Sequence, residues 1–151
     1  MTDHRMDWQR AARTGTAEAV FCAGKSEDQI CAILAEARAE GHNLLLTRLA
    51  PEQYARLGDD APRNYDALSQ TAIHGRMPKA LAGVGIVAAG TSDLPVATEA
   101  ARTLAFHGYD APVLADVGVA GLWRLLDQVE ALRSYQVLIA VAGMELSLIH
   151  I

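Results

Sequence analysis

At 151 residues, with 51% hydrophobic and 21% charged, the chain can build one ordinary domain, or a small one plus part of another, around a real core. A net charge of −5 with no basic patch argues against a nucleic-acid partner. Two cysteines without metal-type spacing suggest neither a disulfide framework nor a metal site. No apolar run approaches the roughly 18–20 residues of a membrane span, and Met1–Arg10 is too polar for a secretory signal, so a cytoplasmic protein is expected.

Residues 1–18 are charged and lack a long apolar period, which reads as a short helix or tail. Ala19–Cys22 is a brief apolar run, read as a strand. Ser26 and Gln29 form a capping box, and Ile30, Ile33, Leu34 and Ala37 follow at helical spacing up to Gly41. The pattern predicts a helix over 27–40. Asn43–Leu49 reads as a strand, Pro51 opens a short helix near 52–57, residues 58–64 read as a polar loop, and Leu68–Ile73 as a further strand. These make a small N-terminal α/β unit over residues 19–78. His74–Lys79 reads as its connector, with His74 on the surface.

A second unit, residues 79–145, alternates regularly. Val84–Ala89 is a β-branched run, read as a buried strand. Gly90, Thr91, Ser92 and Asp93 break it, and a helix over 94–107 follows. Ser92 or Asp93 is suited to cap that helix, with Pro95 in its first turn. The N–H groups at such a helix start favour a phosphate or carboxylate. Gly108 ends the helix, and His107 is expected on the surface. Ala111–Asp116 reads as the next strand, and Gly118, Val119, Ala120 and Gly121 as a second turn. Leu122, Leu125, Leu126, Val129 and Leu132 predict a helix up to about Ser134. Val137–Ala142 is the third strand, closed by Gly143, Met144 and Glu145. Strand–helix alternation implies parallel pairing with right-handed crossovers. Ligands of such sheets gather at the carboxyl ends of the strands, where all three turns fall.

Three stretches in this order are similar to one family. Ala89–Ala100 (Ala-Gly-Thr-Ser-Asp-Leu-Pro-Val-Ala-Thr-Glu-Ala), Asp116–Leu122 (Asp-Val-Gly-Val-Ala-Gly-Leu) and Val141–Glu145 (Val-Ala-Gly-Met-Glu) resemble the nickel-pincer cofactor biosynthesis family LarB. Gly24–Ile30 and Leu46–Gln53 look like that family's N-terminal region. The Gly-Thr-Ser-Asp-Leu-Pro turn is shared with PurE, the aminoimidazole ribonucleotide carboxylase and mutase family.

The resemblance implies a fold and a reaction. The fold is an α/β class: the small N-terminal unit followed by an incomplete PurE-like, flavodoxin- or Rossmann-like three-layer parallel-sheet domain that forms a homo-oligomer at full length. The reaction is carboxylation of nicotinic acid adenine dinucleotide at C5 of its pyridinium ring, with CO2 or bicarbonate, and hydrolysis of the phosphoanhydride to release AMP. No cofactor is firmly expected, and Mg2+ is left open. Substrate-binding residues on this reading are Gly90, Thr91, Ser92, Asp93, Asp116, Gly118, Val119, Ala120, Gly121, Gly143 and Met144. Glu145 is the candidate catalytic carboxylate, able to shuttle a proton. The family's cysteine, which adds to the ring so that it can attack CO2, lies downstream of the Gly-Met-Glu turn. Neither Cys22 nor Cys31 matches it, and Trp123 stands where relatives carry histidine. A PurE-type mutase and a non-catalytic nucleotide-binding module stay open as alternatives. Leu146–Ile151 (Leu-Ser-Leu-Ile-His-Ile) translates a transposon mosaic end used in sequencing libraries, so this tail is expected to be non-native and His150 to have no role.

Overall fold

The computed structural model describes residues 4–143. The expectations for Met144, Glu145 and the 146–151 tail lie outside the described residues. The chain divides into two compact units, Met1–Met77 and Pro78–Ile151.

The first unit is a four-stranded mixed sheet with its helices. Strand β1 (Ala19–Phe21) pairs in parallel with β2 (Leu44–Thr47). Strand β2 pairs antiparallel with β4 (Thr71–His74), which in turn pairs antiparallel with β3 (Asn64–Asp66). Before β1 comes the short helix α1 (Arg10–Thr14); α2 (Glu27–Glu40) follows β1, and α3 (Pro51–Arg56) follows β2. The capping box of α2 is present: Gln29 N–H donates to Ser26 Oγ at 3.2 Å, and Ser26 N–H donates to Gln29 Oε1 at 3.0 Å. Gly41 ends the helix at φ 71°, a left-handed conformation. Its predicted stripe of Ile30, Ile33, Leu34 and Ala37 is buried against Val20, Leu44 and Leu46. Each large member of that stripe contributes about 1.5–3 kcal/mol by leaving water.

The opening residues are tied to this core. Trp8 packs on it, stacks on His42 with ring centroids 4.5 Å apart, and donates from Nε1 to Glu36 at 2.6 Å. His4 lies 2.8 Å from the other oxygen of Glu36.

Two expectations for this unit are corrected. The polar stretch after α3 is not all loop: Gly58–Asp60 is a 3-10 turn, and Asn64–Asp66 is strand β3. Only Tyr65 in it resembles a strand residue, and its neighbours Asn64 and Asp66 are turn formers, so pairing with β4 makes the strand. Residues 67–70 form the hairpin turn, with Asp66 accepting from the N–H and hydroxyl of Ser69. His74 belongs to β4 rather than to a surface connector. It pairs opposite Leu44 and is half-buried.

The second unit is a three-layer α/β sandwich with a parallel sheet. Among the described residues the strand order is β6 (Val113–Leu114), β5 (Val84–Ala88), β7 (Val137–Val141), all parallel. Side chains alternate across β5. Ile86 and Ala88 bury against Ala97 of α4 (Leu94–Phe106). Val87 buries on the opposite face with Val117, Leu125 and Leu132.

The helix expected over 122–134 is two pieces, α5 (Leu122–Leu126) and α6 (Val129–Arg133). At the break, Gln128 N–H drops to the i−3 carbonyl of Leu125, a 3-10 step. The strand expected over 111–116 shortens to two residues, because Asp116 turns left-handed at φ 58°. His107 is half-buried, edge-on to Phe106, rather than on the surface.

Candidate functional site

The first two turns read from the sequence, and Gly143, the described residue of the third, lie at the carboxyl ends of β5, β6 and β7. Backbone bonds tie the second turn to the first: Val117 N–H donates to Ala88 O at 3.2 Å, and Gly118 N–H to Ala89 O at 2.9 Å. A Cβ on Gly118 would lie 2.8 Å from that same carbonyl, so this approach requires glycine. The third turn is tied to the first by Asp93. Its Oδ2 accepts from Gly90 N–H at 2.9 Å and its Oδ1 from Gly143 N–H at 2.8 Å.

This corrects the capping expectation. Thr91–Asp93 form a 3-10 turn leading into α4, and neither Ser92 nor Asp93 caps α4 with its side chain. Asp93, only 9% exposed, is instead a staple between two strand ends. Both of its oxygens are committed to backbone. Thr91 and Ser92 are exposed at the mouth, and their hydroxyls are the groups of this turn that face solvent.

At the second turn, Asp116 is half-buried and pairs with Arg124. A left-handed non-glycine residue costs of order 1–3 kcal/mol and persists only where its surroundings hold it. The ion pair and the adjacent backbone bonds do so here. The guanidinium lies over Gly121, where a Cβ would come within 2.6 Å of Nε. Val119 is half-buried, Ala120 and Gly143 are exposed, and Trp123 is 68% exposed. Arg124 escaped the residue-by-residue reading, yet a signal was available: it is the one Lys or Arg between Arg102 and Arg133.

Chemically, the rim holds two exposed hydroxyls and a guanidinium fixed by a carboxylate, while at the α4 start the N–H groups of Asp93 and Leu94 are taken by the carbonyls of Gly90 and Thr91 and Pro95 has none. Hydroxyls and a guanidinium are groups whose chemistry suits an anion. Neither cysteine thiol is shifted toward the reactive thiolate. Cys22 is buried, and desolvation pushes its thiol up to about 11 against a smaller opposing pull from Lys25. Burial also raises Cys31. Both lie in the first unit. Among the described residues no group of three or more His, Cys, Asp or Glu is placed to hold a metal, and no helix is long and apolar enough to cross a membrane.

The fold defines an α/β protein whose polar turns gather at the carboxyl end of a parallel sheet. The family model for the LarB/PurE-like N-terminal domain matches residues 1–76, half of the chain, and the protein belongs to that LarB/PurE-like family. The chain is also similar to an uncharacterised protein of Methanocaldococcus jannaschii, with 34% identity over 154 residues covering 93% of this chain. It spans 59% of that relative's length.

Proposed function

We propose that this chain is part of a LarB-type carboxylase acting on nicotinic acid adenine dinucleotide, which adds CO2 at C5 of the pyridinium ring and releases AMP. The observation that carries the reading is the junction of three turns at one sheet end. It brings the exposed Thr91 and Ser92 and the ion-paired Arg124 to the same end of the sheet. Membership of the LarB/PurE-like family supports a carboxylase role.

On this reading the Thr91 and Ser92 hydroxyls hold the phosphates, and Arg124 offsets the charge that builds as the phosphoanhydride is cleaved. Asp116 and Gly121 position Arg124. Asp93 keeps the first and third turns in register without touching substrate. Carboxylation needs a nucleophile to add to the ring and make it enamine-like. The thiols of Cys22 and Cys31 are held protonated and do not serve. The thiolate comes from the part of the relatives' length that this chain does not span. Glu145, next to the third turn in sequence, remains the proposed proton carrier.

The test supplies nicotinic acid adenine dinucleotide and bicarbonate to the protein expressed from its source gene through to the natural stop codon, and follows AMP by chromatography. AMP release that depends on bicarbonate is expected. Turnover of aminoimidazole ribonucleotide instead assigns a PurE-type mutase, and binding without turnover of either assigns a nucleotide-binding module. Either result overturns the proposal. Sequencing the gene from source DNA also decides whether Leu146–Ile151 is native.

A further inference from the structure

The first unit contains a concavity that the reading above does not use. It is a cleft of about 410 Å3 between the end of α2, the Asp59–Asn64 segment and the end of β4. That size falls within the roughly 300–1,000 Å3 of small-molecule sites. Its lining mixes polar and apolar groups in near-equal measure, with Ile73 at 3% exposure and Pro62 buried among the apolar ones. Three nitrogen-rich side chains also line it: Arg38, Arg63 and His74.

Each of the three is placed differently. Arg38 is held rigidly, Nη1 donating to Asp60 Oδ1 at 2.6 Å and Nη2 to Asp60 O at 2.5 Å. A guanidinium has five N–H donors, so this anchoring leaves others uncommitted. Arg63 is exposed and pairs with no carboxylate among the described residues. His74 is half-buried, and burial first, then the nearby charge of Arg38, hold its ring below the ordinary imidazole range. It is therefore neutral at pH 7, with one nitrogen to donate and one to accept. The carboxylates nearby are Asp59, which lines the cleft, and Asp60, which is spent on Arg38. One fixed guanidinium, one exposed guanidinium and a neutral imidazole around a cleft of this size suit a small molecule with an oxyanion head.

We propose that this cleft binds a small oxyanion, a phosphate monoester or a carboxylate, gripped by Arg38 and Arg63 and hydrogen-bonded by His74. A bound anion supplies the counter-charge that the imidazole lacks, so binding and protonation of His74 are linked. Asp59 opposes the ligand. The proposal uses none of the residues at the sheet end of the second unit, and it stands or falls apart from the carboxylase reading.

The experiment titrates the 151-residue chain with inorganic phosphate, adenosine monophosphate and acetate, following the His74 ring by NMR. A saturable shift is expected with at least one anion, together with a rise in the pH at which His74 titrates. Removing one charge-assisted contact with Arg63→Ala should weaken binding by about tenfold or more. Among the described residues the exposed Arg63 makes no hydrogen bond or ion pair, so melting should change little. Asp59→Asn should tighten binding. Response to phosphate and the nucleotide but not acetate identifies a phosphate ligand, and the reverse identifies a carboxylate. No saturable response to any of the three, or equal affinity of Arg63→Ala and the parent chain, overturns the proposal.

Discussion

Replacing Asp93 by asparagine separates two roles for the same residue. If Asp93 only capped α4, asparagine would serve as well, because the two are near-equal caps. The structure assigns a different job, in which both carboxylate oxygens accept a backbone N–H, one from Gly90 and one from Gly143, at 91% burial, the complement of the 9% exposure. Asparagine has a single acceptor oxygen, and its NH2 then faces an N–H. Gly90 is half-buried while Gly143 is exposed, so the amide should keep the Gly90 bond and leave Gly143 to water. The loss is then one charge-assisted bond, about 1.5–3 kcal/mol, without the full penalty of a buried orphan donor. For a unit of this size each kcal/mol moves Tm by roughly 4–8 °C, so a fall of about 6 °C or more is expected for the second unit. Asp93→Ala should cost more, since both bonds go. Ser92→Ala, at an exposed hydroxyl with no capping bond, should stay within about 0.5 kcal/mol of the parent. Thermal and urea unfolding followed by circular dichroism measure these differences, and faster amide exchange at Gly143 in Asp93→Asn gives a local check. If Asp93→Asn melts with the parent chain while Ser92→Ala is destabilised, the staple is wrong and the cap is right.

Two further outcomes follow from particular contacts. Gly118→Ala puts a methyl 2.8 Å from Ala89 O, and overpacking of this kind costs about 1–3 kcal/mol, so the urea midpoint of the second unit should fall while that of the first is unchanged. Because burial lowers the pKa of His74 from 6.5 in the folded chain, the unfolded chain binds the extra proton first; stability should therefore fall as pH drops below about 6.5 toward the lowered value and then level off. His74→Gln should flatten that slope, and an unchanged slope in unfolding experiments at stepped pH would place its origin elsewhere.

Local signals were enough for the elements whose partners lie close in sequence. The Ser26–Gln29 box, the Ile30, Ile33, Leu34 and Ala37 stripe and Gly41 specify α2 from cap to stop, because every contact that decides them is within a few residues. The apolar run of β5, Pro95 in the first turn of α4 and Gly108 after it placed the central strand and helix in the same way, and their alternation with the later runs implied the parallel sheet. Tertiary structure decided what depends on distant partners. Strand β3 exists because Tyr65 pairs opposite Ala72, although Asn64 and Asp66 favour a turn. His74 left the surface because β4 runs on opposite Leu44. The side chain of Asp93 turned from the helix start to an N–H fifty residues away, and Asp116 took a left-handed backbone beside the guanidinium of Arg124. Capping and periodicity are energies of near neighbours and can be read along the chain. A buried carboxylate is satisfied by whichever donors folding brings to it, so the roles of Asp93 and Arg124 emerge only once the strand ends have met.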